Sequence, residues 1–134
     1  MENQFIPYEQ ALELKALGFD EPCIASYTQT LRFDVLEQNG IMWHTVTNEK
    51  LKEYEKACTA PLYQQAFRWF RDKKLFDTCI CRYQSRDDGG VYYYYVINHD
   101  FGIEETRHFK EGFLSYEEAE LACLKKLIEI VKNK

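Results

Sequence analysis

The stretch from Phe76 to Asn98 limits the fold more than any other part of this chain. It reads "FDTCICRY", then "QSRDDGG", then "VYYYYVIN". Two runs of β-branched and aromatic residues flank a polar, glycine-containing turn, so the segment 76–98 is expected to be a β-hairpin. Strand alternation then divides the consecutive tyrosines. Tyr92, Tyr94 and Val96 share one side, and Tyr93, Tyr95 and Ile97 share the other. An even loop sets Cys79, Cys81 and Tyr83 beside the first group and Thr78, Ile80 and Arg82 beside the second. An odd loop, or a bulge at Gly89-Gly90, reverses that assignment.

Two small thiols interleaved with two large rings read as a packing layer. The wetter face would then carry Arg82, Tyr93 and Tyr95, with Arg82 lying across a tyrosine ring. These three residues are the candidate partner-binding site, an aromatic platform for a protein, a sugar or a base. The competing expectation is a solvated sheet face with no ligand.

Helices are expected on either side of the hairpin. "FIPYEQALELKALGFDEP" opens with Pro7 in the first helical turn and closes on Gly18, which predicts a helix over about 7–17. Residues 23–47 read as strands, with Asn39-Gly40 as a hairpin turn. "NEKLKEYEKAC" is either a weak helix or a long loop. In "TAPLYQQAFRWFRDKK", Leu62, Tyr63, Ala66, Phe67, Trp69 and Phe70 fall on one arc, predicting an amphipathic helix over about 60–73 capped by Thr59 or Ala60. "EETRHF" adds a further strand over about 104–109. In "SYEEAELACLKKLIEIVKNK", Ser115 and Glu118 have capping-box spacing, predicting a helix over about 116–132. The expected fold class is α+β, a single compact domain with an antiparallel sheet packed by about three helices.

Composition narrows the function classes. Aromatic residues make up 16% of the 134 residues, while the net charge is −5 with scattered basic residues. Clustered cations for a nucleic-acid backbone are lacking, so nucleic acid is not an expected partner on this pattern. "MENQFIPYEQ" has neither the basic nor the apolar region of a secretory signal, and no apolar run approaches a bilayer's width. Five cysteines in such a chain are expected to be reduced thiols of a cytoplasmic protein. Cys79-x-Cys81 lacks zinc or redox spacing, and would need Cys58 or a histidine to complete a metal site. "NHD" at 98–100 sits at a strand end, yet nothing marks a cysteine as activated by His44, His99 or His108. Phosphate-loop, dinucleotide, nucleophile-elbow and zinc-protease motifs are all missing. No catalytic residue, cofactor or metal is therefore expected.

Three stretches, "FIPYEQALELKALGFDEPC", "APLYQQAFRWFR" and "SYEEAELACLKKLIEIV", resemble a family of small uncharacterised proteins from Bacteroides-type gut bacteria and their tailed phages or integrated elements. The resemblance implies an intracellular accessory protein of phage or mobile-element origin, and carries no functional residues with it. Together with the aromatic excess, it makes a non-enzymatic protein-interaction module the leading expectation, whether for another protein or for self-association. A small-ligand or glycan binder using the aromatic sheet face is the alternative.

Overall fold

The structure, a computed structural model, describes residues 4–35, 45–99, 102–105 and 112–133, with 102–105 as backbone. Its elements are α1 (Tyr8–Ala16), β1 (Ala25–Tyr27), β2 (Phe33–Val35), a 3-10 turn (Glu49–Leu51), β3 (Cys58–Thr59), α2 (Tyr63–Lys74), β4 (Asp77–Gln84), β5 (Val91–His99), β6 (Gly102–Glu105) and α3 (Tyr116–Lys132). Three α-helices and antiparallel sheets give the α+β class expected from hairpins alternating with helices. Among the described residues the strands lie in two sheets, ordered β2-β1-β3 and β4-β5-β6. Contacts gather the chain into two compact units, Met1–Ala66 and Phe67–Lys134.

In the first unit, α1 follows Pro7 and stops where the sequence says it should. Gly18 adopts φ 97°, its N–H reaches Lys15 O at 3.1 Å, and Phe19 N–H reaches Leu14 O at 3.0 Å. That pair of bonds is a Schellman stop, and its apolar partners Leu14 and Phe19 are both buried. The β1–β2 hairpin turns within Thr28–Arg32, where Thr28 N–H bonds Arg32 O and Leu31 takes φ 65°. Asn39-Gly40 lies outside the described residues. Rings of Phe5, Tyr8, Tyr27 and Phe33 meet at centroid distances of 5.2–5.6 Å, and Tyr27 Oη donates to Ile6 O. Residues 48–57 form the 3-10 turn and irregular loop rather than a helix.

The expected cap of α2 is displaced. Thr59 belongs to β3, and its N–H donates to the buried Asn48 side chain; the helix begins only at Tyr63. Once begun, α2 follows the amphipathic reading. Tyr63, Ala66, Trp69 and Phe70 are buried, while Gln64, Arg68, Arg71 and Asp72 are exposed.

The second unit is built on the predicted hairpin. Cys79 pairs with Val96, Cys81 with Tyr94, and Tyr83 with Tyr92; Ile80 pairs with Tyr95 and Arg82 with Tyr93. The loop of residues 85–90 is even, so the side assignments made from the sequence hold. β6 starts at Gly102, two residues ahead of the expected strand, whose last residues lie outside the described set. α3 occupies 116–132 as expected. Ser115 Oγ accepts from Glu118 N–H, and the Glu118 carboxylate accepts from Leu114 N–H. Ala119, Cys123, Leu124, Leu127 and Ile128 are its buried stripe.

Candidate functional site

The ladder between β4 and β5 has a parity that can be read from its ends. Ser85 N–H bonds Gly90 O, and Tyr93 exchanges both backbone bonds with Phe113 on the other side of β5. Hydrogen-bonded pairs alternate along an antiparallel ladder, so Cys79, Cys81 and Tyr83 direct their backbone groups at β5. Thr78, Ile80, Arg82 and Gln84 therefore turn theirs away from β5. Among the described residues β4 pairs with β5 alone, which makes it an eight-residue edge strand.

The two faces of this hairpin differ, and in the opposite sense to the sequence expectation. Tyr95 is 7% exposed and Ile97 is 0% exposed. Phe113 stacks on Tyr95 at 6.1 Å, and Tyr116, the first residue of α3, meets Tyr93 edge-on at 6.2 Å. The face of Tyr93, Tyr95 and Ile97 is thus the covered one. Of the three candidate residues, Arg82 is exposed, Tyr93 is half-buried and Tyr95 is buried, so they do not present one open platform. A cation does lie over a ring elsewhere, at Lys74, 5.4 Å from the Trp69 centroid.

The other face is the open one. Cys79 is exposed, and Cys81, Tyr83, Tyr92, Tyr94 and Val96 are half-exposed. Tyr83 lies between its neighbours, 5.8 Å from Tyr92 and 5.6 Å from Tyr94. Tyr92 Oη donates to the Asp88 carboxylate in the turn. That bond pulls the Asp88 pKa down and pushes the Tyr92 phenol up. Gly112 lies so close that a Cβ there would come within 2.6 Å of Tyr83 Oη and 2.8 Å of Tyr92 Cβ. Only glycine fits over these rings.

The thiols also depart from expectation. Cys79 and Cys81 are not filler in a packed layer; their sulfurs lie 3.2 Å apart on the open face. The Cys81 thiol beside it raises the Cys79 pKa, chiefly through their mutual hydrogen bond. The remaining thiols are the buried ones. Burial raises Cys23 to about 11 and Cys58 to about 12, and it raises Cys123 as well. None of these three has the thiolate character of a nucleophile. His99 sets its ring edge-on to Phe76 at 5.3 Å, while His44 and His108 lie outside the described residues. Among the described residues, no group of three or more His, Cys, Asp and Glu is placed to hold a metal ion, and no helix is long and apolar enough to cross a membrane.

A depression of about 330 Å³ in the first unit is lined by Lys15, Gly18, Phe19, Asp20, Asn48, Glu49 and Lys52. Its polar groups are already committed to the fold. Lys15 Nζ donates to the carbonyls of Leu51, Tyr54 and Ala57 at 2.7–2.9 Å. Asn48 bridges Phe19 O and Thr59 N–H, Asp20 accepts from Glu49 N–H, and Lys52 pairs with Glu49. Convergent groups left over for a substrate are what an active site needs, and here those groups hold a loop instead.

The open hairpin face was only half legible. Period-two alternation sorted its side chains correctly, but which side is covered depends on Phe113 and Tyr116, residues remote in sequence from β4. Comparison with family models, with curated proteins and with solved structures finds no match to this chain.

Proposed function

We propose that this chain is a non-enzymatic protein-interaction module that takes an extended segment of a partner protein along β4. The observation that carries this reading is the edge itself. Thr78, Ile80, Arg82 and Gln84 turn their backbone donors and acceptors away from β5, in a strand eight residues long without proline or bulge. Natural edges of that length are usually blunted, and those left open serve strand addition. Backbone bonding would supply affinity, and the adjoining Tyr83, Tyr92 and Tyr94 face would supply selectivity through amphipathic contact area. The resemblance to gut-bacterial and phage accessory proteins supports an intracellular setting for such a module.

The test uses the whole chain as bait in a Bacteroides-type lysate. Arg82→Pro removes an outward N–H without touching the β4–β5 ladder, because proline is tolerated on the open side of an edge strand. Polypeptides captured by the native chain should be lost with Arg82→Pro, while Lys50→Ala in the first unit should retain them. Equal capture by Arg82→Pro would sink strand addition. A small ligand or glycan stacked on the tyrosines would show a different pattern, indifferent to Arg82→Pro and sensitive to Tyr94→Ala.

A further inference from the structure

Cys79 and Cys81 stand at i and i+2 on one face of β4, with Val96 and Tyr94 directly opposite them. Same-face Cβ atoms two residues apart on a strand are separated by twice the rise, about 6.6 Å. A disulfide needs its Cβ atoms at roughly 3.5–4.5 Å. The two thiols lean toward each other along the strand and still stop at 3.2 Å. An S–S bond would therefore require β4 to buckle out of its ladder. A bridging atom would not. Two metal–sulfur bonds of about 2.3 Å each span roughly 4.6 Å when collinear, a separation the sulfurs reach by rotating slightly apart.

From this geometry we infer that the Cys79–Cys81 pair is a two-thiolate site for Cu(I). Soft thiolates select Cu(I) and zinc among the first-row ions. Zinc prefers four protein ligands in a structural site, and the described residues offer no third His, Cys, Asp or Glu at this place. Cu(I) is satisfied by two sulfurs. On binding, both thiols release their protons to solvent, two Cu–S bonds form, and no electron is transferred. Cys79 is exposed, so the ion has a path in. The half-buried Val96 and Tyr94 are the cross-strand neighbours of Cys79 and Cys81.

The inference is tested by anaerobic titration of the full, reduced chain with Cu(I) held by a chromophoric chelator. The native chain should withdraw one equivalent. Cys79→Ser and Cys81→Ser should each weaken binding about 100-fold or more, since each loses the effective concentration of a second tethered ligand. The double variant should withdraw none. Serine is nearly isosteric with cysteine, and circular dichroism checks that the variants keep their fold. Failure of the native chain to compete overturns the inference. So does full uptake by the double variant, which would place the copper on the buried thiols, or a native mass of two chains per ion.

Discussion

The two sheets of this protein are built by different means. That of the first unit uses strands of three, three and two residues. That of the second uses strands of eight, nine and four. Ladders so short cannot hold the first sheet together alone, and side chains bonded to distant backbone make up the difference. Lys15 gathers three carbonyls; Asn48, Tyr27, Gln29, Asp20 and Gln65 each bond main chain 11 to 43 residues away. In the second unit the long β4–β5 ladder and the apolar stripe of α3 do that work. Polar pinning is sensitive to single bonds, whereas a ladder backed by a helix is sensitive to lost volume.

The largest expected effect tests the second half of that contrast. Leu124 on α3 is fully buried, and Leu124→Ala should cost about 3–4 kcal/mol in denaturant unfolding. A loss under about 1 kcal/mol would mean that α3 packs more loosely than its burial shows. Next comes Asn48→Ala, which removes the side-chain hydrogen bonds to Phe19 O and Thr59 N–H together. At roughly 1–3 kcal/mol for a buried group left unpaired, it should cost about 2–3 kcal/mol. An unchanged midpoint would remove the idea of polar pinning.

A smaller effect has the opposite sign. Leu31, at φ 65°, is exposed in a conformation that penalises any Cβ. Leu31→Gly should raise stability by about 1 kcal/mol through relief of that strain, and a loss of stability would show that the leucine side chain contributes packing. Smallest of all is Cys79→Ser. An exposed thiol should change stability by less than about 0.5 kcal/mol, and a larger loss would make Cys79 a core residue after all.

The same contrast explains what the sequence could reveal. The hairpin, α3 with its Ser115 cap, and the Gly18 stop of α1 are local patterns, and each was legible. The β1–β2 turn was not, because Leu31 occupies a left-handed position where glycine or asparagine is the usual signal. α2 likewise ends at Leu75 with φ 63°, again without a glycine to announce the stop. The bonds of Lys15 and Asn48 join segments remote in sequence, and no periodicity encodes them. For the candidate surface, alternation gave the side-chain sets, but burial came from Phe113 and Tyr116. Hence Tyr95 exchanged roles with Cys79.

The open edge of β4 is the claim on which the proposed function stands, and residue-resolved amide exchange in the free protein tests it most directly. Cys79, Cys81 and Tyr83 should exchange slowly, because their N–H groups bond β5. Thr78, Ile80, Arg82 and Gln84 should exchange rapidly, because theirs face away. Slow exchange at both sets would show that the edge is already covered, and strand addition would have no place to occur.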